Sequence, residues 1–192
     1  MSDKSSKIAL FGTSADPPTL AHQTILQWLS VHYERVAVWA SDNPFKHHQA
    51  SLGQRMTMLE TLIQAIDSQP KNIELHEELS HQRSLFSVQT AQTIWGKSAD
   101  FTLVIGSDLV GQIQQWYQAE ALLKQVKLLI ISRSQNEILS EDLAQLQIIG
   151  GQYQLADLTL PNISSTAYRE TQDSSLIPSS IQNYILREQL YL

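Results

Sequence analysis

Four short, almost unbroken apolar runs, each followed by a longer segment with helical spacing, constrain this chain more than any other feature. The runs are Lys7 to Phe11 (KIALF), Arg35 to Ala40 (RVAVWA), Phe101 to Gly106 (FTLVIG) and Lys127 to Ser132 (KLLIIS). Rich in Ile, Val and Leu and lacking polar alternation, they suit strands covered on both faces. Helical spacing fills Ala21 to Val31, Leu52 to Asp67, Phe86 to Lys97 and Ala119 to Gln125, with a further helix from Ser140 to about Leu146. Weaker strands are expected at Ile73 to His76 and Tyr153 to Ala156. This alternation predicts an α/β fold, an open parallel sheet with helices on both faces. After Pro178, the residues Ile181, Tyr184 and Ile185 share one face of a docking terminal helix, a stripe that Glu188 interrupts.

A chain of 192 residues with 42% hydrophobic composition can bury one substantial core, so residues 1–192 are expected to form a single domain. The absence of cysteine excludes disulfides, thiolate metal sites and cysteine nucleophiles. The polar start MSDKSSK leads into an apolar run far shorter than the roughly 20 residues that span a bilayer, and a cytoplasmic location with no membrane partner is expected. A net charge of -6 argues against a surface that grips nucleic acid, but leaves room for a mononucleotide site built from a few local cations.

Open parallel sheets bind ligands beyond the carboxyl ends of their strands, so the residues after each run matter most. The first run is followed by Gly12-Thr13-Ser14-Ala15-Asp16-Pro17-Pro18-Thr19-Leu20-Ala21-His22. A small-residue loop lets backbone N–H groups approach an anion, and the helix behind it adds its positive end. Thr19 and His22, three apart at a helix start, share a face and are expected to touch neighbouring phosphate oxygens.

This string resembles the signature loop of the HxGH nucleotidyltransferases, in which the first motif position is His or Thr. Thr19-Leu20-Ala21-His22 fits with Ala21 where that superfamily usually has Gly, and Ala15 stands where many bacterial members have an aromatic residue. The likeness extends over nearly the whole chain to the bacterial nicotinate-nucleotide adenylyltransferases. It implies a Rossmann-like sheet of nucleotidyltransferase type. Asn43-Pro44-Phe45-Lys46-His47 is similar to that family's proline-then-lysine loop, with Lys46 implied at phosphate, and Arg55, Met58 and Leu59 resemble its following helix. Ile105-Gly106-Ser107-Asp108-Leu109 is similar to the IGxD segment, which places Gly106 against adenosine and Asp108 at the ribose hydroxyls. Trp116 falls at the family tryptophan on which the pyridine ring stacks, with Tyr117 supplying neighbouring backbone. Ser87, in Leu85-Phe86-Ser87-Val88-Gln89-Thr90, is implied near the nicotinate carboxylate, and Arg133 near the mononucleotide phosphate. Ile163-Ser164-Ser165-Thr166-Ala167-Tyr168-Arg169 resembles the superfamily's ISSTxxR, a second anion site facing the first.

The resemblance thus implies attack by a mononucleotide phosphate oxygen on the α-phosphorus of ATP, with pyrophosphate leaving. Thr19, His22, Lys46 and Arg169 are its expected catalytic residues. Gly12, Thr13, Ser14, Ser164, Ser165 and Thr166 join them around ATP. Magnesium is expected on the triphosphate, held by phosphate oxygens and water, since adjacent His47 and His48 suit no chelating geometry and no protein ligand set stands out. The partners are then two small molecules, ATP and nicotinate mononucleotide. Nicotinamide mononucleotide and phosphopantetheine are alternative acceptors, and a non-catalytic nucleotide sensor is a different class of reading. A dehydrogenase is disfavoured because no GxGxxG follows the first run.

Overall fold

The computed structural model describes residues 5–43, 46–67, 71–132 and 138–192. Six strands form one sheet: β1 (Lys7–Thr13), β2 (Arg35–Ala40), β3 (Ile73–Leu75), β4 (Asp100–Gly106), β5 (Lys127–Ile131) and β6 (Tyr153–Leu155). Their order is β3-β2-β1-β4-β5-β6, and every neighbouring pair is parallel. Between and after them come α1 (Leu20–His32), α2 (Leu52–Ala65), α3 (Ser84–Trp95), α4 (Ala119–Leu123), α5 (Ser140–Ile148), α6 (Ser165–Thr171) and α7 (Ser179–Glu188). This is the Rossmann-like arrangement expected from the apolar runs. The order reverses between β1 and β4, and the crevice outside their carboxyl ends is where such sheets take ligands.

The runs read as two-sided strands are buried as that reading requires. Ile8, Ala9 and Leu10 of β1 and Leu128 to Ile130 of β5 are almost wholly inaccessible. Helix α1 covers the sheet with Ile25, Leu26 and Leu29, spaced to share one stripe, and α2 does so with Met58, Leu59 and Leu62. The terminal helix α7 buries Ile181, Tyr184 and Ile185, so the expected docking stripe is real and packs against α2.

Helix ends differ from the sequence expectation by a few residues, because local caps and not periodicity decide where a helix stops. The short 3-10 helices Glu77–Leu79 and Ser174–Leu176 fall outside the sequence expectation, and so does a longer one. Ser107–Gln115, directly after β4, is a 3-10 helix, whose tighter turn leaves no 3.6-residue periodicity to read. It carries the chain from Asp108 to Trp116 along the mouth of the crevice.

Candidate active site

The first loop is held by hydrogen bonds that converge on His22. The Thr19 backbone N–H donates to His22 Nδ1 at 3.1 Å, and Thr19 Oγ1 lies 2.9 Å from the same nitrogen. A ring nitrogen that accepts a backbone N–H is unprotonated, so the proton of the neutral imidazole sits on Nε2. That nitrogen lies 3.0 Å from Thr13 Oγ1, at the end of β1. His22 therefore lines the crevice with Nδ1 held by Thr19 and its Nε2–H donated to Thr13.

Thr19 itself is completely buried. The direct phosphate contact expected for its hydroxyl is thus corrected: the side chain faces the imidazole and not the cavity, because it caps α1 from beneath the loop. Gly12 also differs in its reason. A Cβ there would lie 2.5 Å from the Trp39 indole, so the missing side chain makes room for an aromatic ring of β2. Nothing in the local sequence names that neighbour. Ala15 is buried at φ 45, a left-handed conformation costing about 1 kcal/mol for a residue with a Cβ.

What holds this strained turn is the Asp16 carboxylate, buried and accepting the backbone N–H groups of Gln49 at 2.8 Å and Ala50 at 3.1 Å. Arg55, equally buried, donates from Nη1 to the carbonyls of Ser14 and Ser41, each at 2.9 Å. Burial pushes its guanidinium down from the ordinary value, an effect the Asp16 and Asp42 carboxylates oppose. Sequence resemblance had placed Arg55 only on a helix. Its spacing from Ser14 gave no sign of this contact.

The second anion motif closes onto the first. Ser165 Oγ donates to the Pro17 carbonyl at 2.8 Å, Arg169 Nη1 donates to the Asp16 carbonyl, and Arg169 Nη2 donates to Thr166 Oγ1 at 3.2 Å. Ser164 caps α6 by accepting the Ala167 N–H at 3.0 Å. The two serines are thereby engaged in joining and capping, and all four residues, Ser164, Ser165, Thr166 and Arg169, border open space.

That space is a cavity of about 1090 Å³ at the switch point. Ligand cavities commonly span roughly 300–1,000 Å³, so this one is large for its kind. His22, Ser14, Lys46, Asp108, Trp116 and Arg169 all line it. Ser14 Oγ is buried there with no hydrogen-bond partner, a polar atom suited to a ligand oxygen. Gly106 and Tyr117 line it as well, and Trp116 is half-buried with one side on the core. Lys46 is exposed at the rim, with Pro44, Phe45 and Arg133 outside the described residues. His48 also faces the cavity, where burial and the Arg55 cation push it down from the ordinary imidazole value.

Ser87 lines the same cavity, but its hydroxyl is already engaged. Its Oγ is buried and donates to the Leu79 carbonyl at 2.7 Å, which commits the hydroxyl to the protein interior. A residue the sequence did not single out stands nearby instead: the Arg83 guanidinium lies 3.9 Å from the centre of the Tyr117 ring, and Phe86 tilts against the same ring at 5.7 Å. An arginine at the N-terminal end of α3, four residues before Ser87, carries no sequence signal for such stacking.

The chemistry of the donors bears on magnesium. Hydroxyls, an imidazole and a guanidinium can all donate to phosphate oxygens, and among the described residues there is no group of three or more His, Asp or Glu side chains that could hold a metal. The set fits a metal that arrives on a triphosphate.

The cytidylyltransferase-like family model matches residues 10–171, and the chain belongs to that family of nucleotidyltransferases. A protein of Synechocystis sp. named a probable nicotinate-nucleotide adenylyltransferase is 48% identical over 197 residues, covering 96% of this chain and 98% of its own length. The branch is therefore the nicotinate-nucleotide adenylyltransferases. A relative from Chlorobium phaeobacteroides with the same name is 28% identical and covers 96% of the chain. The fold matches that of the Plasmodium falciparum nicotinic acid mononucleotide adenylyltransferase complexed with NaAD, with a TM-score of 0.81, 23% identity and 97% coverage of both chains. The same Plasmodium falciparum enzyme complexed with APC gives a TM-score of 0.77 at 24% identity.

Proposed function

We propose that this chain transfers the adenylyl group of ATP to nicotinate mononucleotide, giving deamido-NAD and pyrophosphate in NAD biosynthesis, with residues 1–192 acting as one domain in the cytoplasm. The observation that carries this reading is His22, fixed by Thr19 and Thr13 in the lining of a cavity that Arg169, from the other end of the chain, also lines.

The nucleophile, a phosphate oxygen, is already anionic near neutral pH, so no strong base is required. Catalysis reduces to holding two phosphate groups in line and stabilising charge on the transferring and leaving oxygens. His22 Nε2–H donates to Thr13 Oγ1 at 3.0 Å until a phosphate oxygen takes the place of that hydroxyl. Ser14, Thr166 and Arg169 then contact the triphosphate, and Lys46 reaches phosphate from the rim. Gly106 and Asp108 take the adenosine, Trp116 stacks on the pyridine, and Tyr117 borders it. Thr19 works through His22. Magnesium carried on the triphosphate neutralises charge on its oxygens. Arg133 remains an expectation for the mononucleotide phosphate.

Purified protein incubated with ATP, magnesium and either nicotinate or nicotinamide mononucleotide tests the reading. Pyrophosphate release and the mass of the deamido dinucleotide should appear, with kcat/KM for the acid well above that for the amide. Equal values would remove the acid preference; no dinucleotide from either would remove the assignment.

A further inference from the structure

The side chain of Tyr191 reaches back to the first loop, and nothing in the reaction so far uses it. Its hydroxyl donates to Asp16 Oδ1 at 2.6 Å. The ring stands edge-on to Tyr168, with centroids 6.1 Å apart, and its carbonyl accepts Gln172 Nε2 at 2.7 Å. Tyr168 lies on α6 beside Arg169, and Gln172 caps the same helix. Burial and the Asp16 carboxylate push the phenol above its ordinary value, so the hydroxyl remains a donor throughout the neutral range.

We propose that Tyr191 is a positioning residue that keeps the Asp16 carboxylate from capturing the Arg169 guanidinium, leaving Arg169 turned toward the triphosphate. An ionised carboxylate offers about four acceptor positions. Oδ1 receives Tyr191 and the Ala50 N–H, and Oδ2 receives the Gln49 N–H. Arg169 Nη1 stays 3.9 Å from Oδ2 and donates to the Asp16 carbonyl instead. A guanidinium beside a carboxylate with both oxygens open closes into a two-pronged pair. The phenol occupies the Oδ1 position that this pair requires. Without it, Arg169 rotates onto Asp16 and leaves the cavity.

This inference rests on the proposed role of Arg169 at the triphosphate, and ATP binding tests it without requiring turnover. Tyr191→Phe keeps the ring against Tyr168 and deletes only the hydroxyl. ATP affinity by titration calorimetry, and kcat/KM for ATP, should fall about tenfold, the scale of one charge-assisted hydrogen bond, while KM for the mononucleotide hardly moves and the melting temperature falls only as far as the loss of one buried hydrogen bond requires. In an Arg169→Lys background the same change should have little effect, because an ammonium cannot form the two-pronged pair. Parental ATP affinity in Tyr191→Phe would overturn the proposal. So would a tenfold loss that persists in the Arg169→Lys background, or equal losses for both substrates with a melting temperature lowered beyond that. A parent protein that makes no dinucleotide would instead defeat the functional reading, while the ATP titrations would still decide the role of Tyr191.

Discussion

The two ends of the cavity are built in opposite ways. At the phosphate end, Thr19, Asp16 and Arg55 are buried, and each hydrogen-bonds to loop backbone or to His22. At the acceptor end, Arg83, Phe86 and Tyr117 are exposed and touch one another mainly through ring faces. Buried polar networks fix geometry, because any rearrangement leaves an unpaired group in a low dielectric. Stacked exposed rings adapt at small cost. Under the proposed function, rate belongs to the first end and substrate choice to the second.

The largest expected effect tests the phosphate end. Replacing His22→Ala should lower turnover by roughly two to four powers of ten, about 3 to 5 kcal/mol, while ATP binding weakens far less. Steady-state kinetics at saturating ATP separates the two, since a group that merely held ground-state ATP would raise KM and spare kcat. A folded variant with near-parental turnover would end the contrast between the two ends.

A smaller effect is expected at the acceptor end. Trp116→Ala should raise KM for the pyridine substrate about five- to tenfold, corresponding to about 1 kcal/mol of stacking, and leave KM for ATP nearly unchanged. If circular dichroism shows that the variant mainly unfolds, the indole belongs to the core and the acceptor end is more rigid than its exposure suggests.

The smallest sharpens the boundary between the ends. Since the Ser87 hydroxyl is committed to the Leu79 carbonyl, Ser87→Ala should lower stability by about 1 to 3 kcal/mol, a drop of a few degrees in Tm, without a change in KM. A raised KM for nicotinate mononucleotide with an unaltered Tm would return Ser87 to the ligand.

The same division governs what could be read from sequence. The four apolar runs marked β1, β2, β4 and β5, because continuous Ile, Val and Leu has few other uses. The loop from Gly12 to His22 and the segment ending in Arg169 were legible as motifs, since their chemistry depends on residues close in sequence. Long-range partners were not. Trp39 over Gly12, Arg55 beneath Ser14 and Tyr191 on Asp16 join residues 27, 41 and 175 positions apart, and no local pattern announces such contacts. Thr19 and Ser87 show the converse: the residue type suits phosphate or carboxylate, and burial decided otherwise.

The strand order has a consequence for how this molecule is made. Strand β1 lies between β2 and β4, with Lys7 opposite Asp100 and Leu10 opposite Leu103. A chain emerging from the ribosome can complete the β1-β2-β3 half while the second edge of β1, almost wholly apolar, still waits for its partner. An unpaired hydrophobic edge is an invitation to pair with another chain. During that interval the strand that carries the phosphate loop is also the site where a nascent chain is most exposed to aggregation, a hazard that ends only when residues 100–106 arrive to pair with β1.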